Sequence, residues 1–194
     1  MVDGLAPRVW LANQAALELH PFLWTTAAPR VPTQLVLDLD PGPPAGLVEA
    51  AEAALALRPL LEELGLRPLV KTSGSLGLHV HAPLAVPLDG KALARGLAER
   101  LAAERPELVG AEIRRAARPG RVDVDWLQND PTRQTVAPYS LRGLAHPTVV
   151  TPLHWEEVER AAAERRPELL VLGSAGLLRR LERDGDLFAP LLAP

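Results

Sequence analysis

The 194 residues predict an α+β fold with a mixed, partly antiparallel sheet packed by helices. Three observations carry that expectation. The run QLVLDLD, Gln34 to Asp40, is rich in Val and Leu and stops at Pro41-Gly42, as a buried strand does. Two further strand runs lie so close together that only a short Ser/Gly turn separates them, which makes a hairpin rather than a βαβ crossover. Ala/Leu/Glu-rich stretches with helical spacing then alternate irregularly with the strands.

In chain order, Gln34 to Asp40 is the first strand. A helix follows from about Leu47 to Leu64, with Gly65 suited to the residue after its C-terminus. Strands run over Pro68 to Thr72 and Leu78 to Pro83, around the turn Ser73 to Gly77. The spacing predicts a helix from about Gly90 to Glu104, and Pro106 suits the first turn of another. Arg121 to Leu127 and Thr135 to Leu141 are strand candidates, and helices close the chain at about His154 to Arg165 and Ser174 to Asp184. There is no internal repeat, and no linker divides the chain, so residues 1–194 are expected to form one domain.

Composition narrows the chemistry. Hydrophobic residues make up 47% of the chain, enough for a real core. There is no cysteine, which excludes disulfides, thiolate metal sites and cysteine nucleophiles. The first twenty residues carry Asp3, Arg8 and Glu18 and no apolar h-region, and no apolar stretch suffices to span a bilayer, so the expectation is a cytoplasmic protein without a membrane partner. The net charge of −3 argues against bulk coating of nucleic acid but leaves room for a local basic site. Lys71 and Lys91 are the only lysines. Arginine supplies the remaining positive charge, and its fork suits phosphate, although a GC-rich coding bias yields the same composition.

Asp38 and Asp40 give the sharpest chemical signal. Residues two apart on a strand share a face, so their carboxylates project together. Like charges that close repel unless a cation lies between them, and hard oxygen ligands suit Mg²⁺ or Mn²⁺. VDVDWLQND repeats the spacing at Asp123 and Asp125, and a third carboxylate from that strand completes a site able to bridge two ions. The plainer reading is that D-x-D merely ends a strand before a turn.

Lys71 to His81, KTSGSLGLHVH, is a glycine-rich turn in which hydroxyls and backbone N–H groups can donate to phosphate. It lacks the Walker A ending. His79 and His81 share a strand face and are either phosphate or metal contacts, or structural histidines. Arg114, Arg115, Arg118 and Arg121 precede the Asp125 strand, and Arg142 follows TVAPYSL. Such arginines clamp a triphosphate or line a solvated face. Tyr139, Trp126 and Trp155 are stacking candidates, with core packing the commoner use.

Four segments in order, ANQAALELHPFLW, VLDLDPG, KTSGSLGLHVHAPL and VDVDWLQND followed by TVAPYSLRG, resemble the polymerase domain of bacterial ligase D. That end-joining repair domain belongs to the archaeo-eukaryotic primase superfamily, and the likeness runs from about Val9 to the C-terminal helices. The resemblance implies a primase-like core adding nucleotides to DNA ends with two Mn²⁺ or Mg²⁺ ions. It implies Asp38, Asp40 and Asp125 as catalytic metal ligands, and His20, Ser73, His79, Arg118, Gln128 and Arg142 as contacts to the incoming nucleoside triphosphate.

Three departures qualify it. Leu76 stands where the family has lysine, costing one triphosphate contact. Asp123 stands where the family has an apolar residue; it either adds a metal contact or, the preferred expectation, occupies an exposed strand end. The N-terminal portion with which the family grips the DNA 5′-phosphate is expected to be absent. The implied partners are therefore DNA ends or gapped duplex, with a ligase, an end-binding protein or a chain supplying the missing portion. A non-catalytic nucleotide- or DNA-end-binding relic is the second hypothesis, and metal-dependent phosphoester hydrolysis the third.

Overall fold

A computed structural model describes residues 4–86, 88–110 and 119–192. In order, the elements are α1 (Leu5–Asn13), β1 (Gln34–Pro41), α2 (Leu47–Glu63), β2 (Leu69–Thr72), β3 (Leu78–Pro83) and α3 (Gly90–Glu104). They continue as β4 (Val109–Gly110), β5 (Val122–Asp125), β6 (Leu141–Arg142), β7 (Thr148–Val149), β8 (Pro152–Leu153), α4 (Trp155–Glu164) and α5 (Ser174–Asp184). Six strands form one sheet in the order β4-β5-β1-β3-β2-β8. Only the β4–β5 pair is parallel, so the expected mixed α+β architecture is what forms.

The two-residue period of β1 decides the layering. Leu35, Leu37 and Leu39 point one way, into a core shared with Leu78, Val80, Val122 and Val124 from the neighbouring strands. Helices α2, α3 and α4 cover that face. On α2, Ala50, Ala51, Ala53 and Ala54 are fully buried, and their small side chains let the helix lie close to the sheet. Each leucine buried there contributes on the order of 2 kcal/mol. The opposite face carries the polar members of the same strands.

Backbone groups at the strand ends are satisfied by side chains. Where β5 stops short of Val36, Asn129 takes over its edge: Asn129 Oδ1 accepts from Val36 N at 2.9 Å, and its amide donates to Val36 O. Arg180 of α5 is buried and donates to Pro152 O and Glu157, tying α5 to β8 and α4.

Several expectations are corrected. Residues 106–108 form a turn leading into β4 and not the start of a helix, while residues 111–118 lie outside the described ones. Thr135 to Leu141 is not one strand: a single bridge joins Gln134 to Phe22, Pro138 and Tyr139 turn the chain, Tyr139 takes a φ of 67°, and only Leu141 enters a strand, as the first residue of β6. Strand β5 is shorter than expected and gives way to a 3₁₀ turn at Leu127–Asn129. Helix α1 and the β6–β7 pair were not anticipated. Among the described residues no helix is long and apolar enough to cross a membrane.

Candidate nucleotidyltransferase site

The register of the sheet assembles the site. Asp38 on β1 lies opposite Asp125 on β5, and Asp40 opposite Asp123. Cross-strand partners share a face, as do residues two apart, so all four carboxylates project from the polar face. On the other side of β1, Asp38 lies opposite His79, and His79 lies opposite Lys71 of β2. One row across four strands therefore reads Asp125, Asp38, His79, Lys71.

His79 Nε2 stands 3.1 Å from Asp38 Oδ1, and His79 Nδ1 stands 3.0 Å from Lys71 Nζ. Asp125 is turned differently, its Oδ1 accepting from Leu127 N at 2.8 Å. With Asp38 toward His79 and Asp125 toward the turn, no group of three or more His, Asp or Glu among the described residues is gathered closely enough to hold an ion as it stands. The donor set is nonetheless oxygen-rich and drawn from adjacent strands, which fits a hard divalent cation. Asp123 corrects the sequence reading: it is buried, 2% exposed, and not at an open strand end.

Burial controls the charges in this row. It pushes the Lys71 ammonium down to about 7; Asp38 pulls the other way, and Arg142 adds to the depression. His79 falls well below the ordinary histidine range, first from burial and then from the charges of Lys71 and Arg142. His81 is depressed in the same way; its Nδ1 lies 2.8 Å from Gln34 Oε1.

The glycine-rich turn closes over one end of the row. Ser73 Oγ accepts from Ser75 N and Gly77 N, so the hydroxyl organises the turn itself. A Cβ at Gly77 would lie 2.3 Å from Leu39 O, so the turn rests directly on the backbone of β1 and only glycine fits there. Arg142 crosses above Gly74 and donates from Nη1 to Ser73 O at 3.0 Å. Glu18 links the remaining parts: it lies 3.5 Å from Arg142 Nε, accepts from Gly143 N, and stands 3.2 Å from Nε2 of the exposed His20. The Gly143 N–H, ahead of His20, holds the Glu18 carboxyl below its usual range. Gln128 follows β5, and its buried Oε1 has no hydrogen-bond partner among the described residues. Arg118, Arg114 and Arg115 lie outside the described residues. Leu76 is exposed at the tip of the turn.

Sequence reasoning missed two residues here. Lys71 gave only a faint signal, a lysine inside an otherwise apolar strand, and Glu18 gave none, because its partners are far away in sequence. The aromatic candidates do other work: Trp126 packs against the core beneath Arg95, and Trp155 donates to Pro68 O. A cavity of about 740 Å³ lies beside His81, walled by Phe22, Trp24, Val31, Leu84 and Val136, with the Phe22 and Trp24 rings stacked at 4.6 Å. Of the residues singled out from the sequence, His81 and Tyr139 line it, while the carboxylates and the nucleotide contacts implied by the resemblance do not.

Comparison with known proteins matches residues 1–188 to the family model of the LigD primase-polymerase domain. This chain belongs to that family. It is 40% identical over 202 residues to the multifunctional non-homologous end joining DNA repair protein LigD of Mycobacterium tuberculosis, covering 98% of this chain and 26% of the relative. The bifunctional non-homologous end joining protein LigD of Bacillus subtilis is 30% identical over 191 residues, covering 96% of this chain and 30% of that one. The chain thus spans between a quarter and a third of these curated relatives. Among solved structures, the polymerase domain of M. tuberculosis Ligase D in complex with DNA superposes with a TM-score of 0.86 at 39% identity, covering 98% of this chain and 68% of that domain. The family is one of nucleotidyltransferases, and its LigD members are named for DNA end joining.

Proposed function

We propose that this chain is the catalytic core of a metal-dependent nucleotidyltransferase that adds nucleotides to DNA ends during end joining. The observation that carries the reading is the β5–β1–β3 register, which sets Asp125, Asp38 and His79 side by side with Asp40 and Asp123 on the same face. Asp38, Asp40 and Asp125 would hold two Mn²⁺ or Mg²⁺ ions. Bound there, the ions supply a lowered pKa for the attacking hydroxyl and neutralise charge on the triphosphate.

The protein groups around them bind and orient. His79 offers a ring N–H beside Asp38, and Arg142, held over the glycine turn by Ser73 O, offers its remaining guanidinium donors to phosphate oxygens. Gln128, with its unsatisfied amide oxygen, accepts from a donor on the nucleotide. His20, Ser73 and Arg118 complete the nucleotide contacts that we assign by resemblance. Exposed Leu76 contributes no charge, so triphosphate affinity rests more heavily on Arg142.

Gapped duplex or broken DNA ends are the proposed polymeric substrate, as DNA is the ligand in the solved M. tuberculosis domain. About a third of that domain has no counterpart in these 194 residues. The proposed partners are a ligase, an end-binding protein, or further polypeptide that grips DNA. Residues 1–194 are proposed to fold as one catalytic unit.

Primer extension on gapped duplex with Mn²⁺ tests the reading, and incorporation that disappears on chelation is the expected result. No incorporation with any nucleotide, alongside metal-dependent triphosphate binding, would favour the second reading of a relic binding module, which Leu76 motivates. Cleavage of nucleotide or DNA without primer growth would instead indicate phosphoester hydrolysis.

A further inference from the structure

We infer that Glu18 is a positioning residue: its carboxylate fixes the plane of the Arg142 guanidinium, so that the remaining edge of the fork faces an anionic ligand at the glycine turn. That this ligand is a nucleoside triphosphate rests on the proposed function; the geometry around Arg142 does not.

Arg142 is constrained in three places. Its stem lies flat on the turn, since a Cβ at Gly74 would come within 2.6 Å of Arg142 Cγ. Its Nη1 donates to Ser73 O at 3.0 Å. One hydrogen bond alone leaves a planar group free to swing about that contact. Glu18 Oε1, 3.5 Å from Arg142 Nε, supplies the second point that sets the plane. At that length the contact is an ion pair, and Nε makes no hydrogen bond to any of the described residues. With Nε and one Nη1 hydrogen so directed, the Nη2 donors remain for a ligand.

The carboxylate is itself anchored. Oε1 accepts from Gly143 N at 2.7 Å, and Oε2 stands 3.2 Å from His20 Nε2, so each oxygen has its own contact. The Gly143 N–H, ahead of His20, lowers the carboxyl from its usual range and keeps it ionised at neutral pH.

The fold does not depend on the acid. The main chain around Glu18 is held by other groups: Leu19 N donates to Ser140 Oγ at 2.9 Å, Ala137 N to Leu19 O at 2.8 Å, and Thr135 N to Pro21 O at 3.1 Å. Gly143 is exposed, so its N–H turns to water when the carboxylate is removed. The Arg142 and Glu18 side chains are 22% and 34% exposed, and an ion pair so open adds little stability. An acid beside a phosphate site also repels the ligand unless it does something else there. What this pair yields is orientation.

The test uses the full 194-residue chain. The Arg142 Nε–H resonance, assigned by its loss in Arg142→Lys, is followed by ¹⁵N relaxation without metal or nucleotide. It should be rigid in wild type and in Glu18→Gln, which keeps an acceptor oxygen, and mobile on the nanosecond scale in Glu18→Ala. Calorimetry of ATP with Mg²⁺ should show affinity weakened about tenfold in Glu18→Ala, the worth of one hydrogen bond to a charged group, and close to wild type in Glu18→Gln. Added to Arg142→Ala, Glu18→Ala should change affinity less than about twofold, because its effect passes through Arg142.

A mobile wild-type Arg142, or a guanidinium in Glu18→Ala as rigid as in wild type, would overturn the inference. So would tighter ATP binding in both Glu18 variants, the mark of an acid that only repels the ligand, or an undiminished Glu18→Ala effect in the Arg142→Ala background. If Glu18→Ala does not fold, Glu18→Asp, which keeps the charge but shortens the reach, takes its place with the same expected mobility and loss of affinity. If wild type binds no triphosphate, the proposed function fails, while the relaxation data still decide the role of Glu18.

Discussion

The two faces of the central sheet are made from the same strands yet obey opposite rules. On one face Leu35, Leu37, Leu39, Leu78 and Val80 meet helices and are sealed from water. On the other, one residue out of step with no change of backbone, stand Asp38, Asp40, Asp123, Asp125, His79 and Lys71. The apolar face gains free energy by burial, whereas the polar face spends some of it by gathering like charges. The contrast teaches that stability and chemistry are separable here, because alternation assigns each residue to one face alone.

Substitution on the polar face should break function without breaking the fold. Asp40→Asn removes a proposed metal ligand at almost constant volume; primer extension should fall by at least about a thousandfold, from loss of several kcal/mol of transition-state stabilisation. The melting temperature should hold or rise, because one of four clustered negative charges is gone. A matching fall in melting temperature would erase the contrast between the faces.

Leu37→Ala tests the other side. It hollows the fully buried core and should cost about 3 kcal/mol in urea unfolding, with turnover per folded molecule unchanged. Loss of turnover in the folded fraction would show that the faces are coupled.

Lys71 sharpens the comparison through pH. Its ordinary value of 10.5 is depressed to about 7 in the folded protein, so between those two values the unfolded chain binds the extra proton. The penalty is fully present below pH 7 and fades as pH rises toward 10.5. Stability should accordingly increase by about 2 kcal/mol from pH 7 to pH 9, and Lys71→Met should abolish that rise in denaturant titrations.

The smallest effect belongs to the periphery. Glu49 accepts from Gly46 N at 2.8 Å at the start of α2, and Glu49→Ala should cost about 1 kcal/mol with no change in activity.

Much of this was legible beforehand where local pattern and tertiary role coincide. Strand β1, the β2–β3 hairpin and the long helices announce themselves by period, and the D-x-D spacing marks the shared face. Legibility failed where a partner distant in sequence decides. Pro106 reads as a helix start, but the chain instead meets β5 edge to edge through Val109–Gly110. Residues Thr135 to Leu141 have strand-like composition, yet the turn at Pro138 and Tyr139 interrupts the run, so Thr135 and Ala137 make only isolated bonds to Pro21 O and Leu19 O and pairing resumes at Leu141 in β6. Asp123 reads as a strand terminus until β4 is known to cover its strand. Glu18 and Lys71 acquire meaning only when residues more than a hundred positions away, or a strand on each flank, are brought against them.

Strand β1 is clasped on both sides by antiparallel partners, and this has a consequence for how the chain finds its native arrangement. A slip of β1 by a single residue would drive its two acids into the leucine layer and push its leucines into water. The acidic groups proposed to serve chemistry thereby also act as proofreaders of assembly, since each mispaired alternative would bury naked charge.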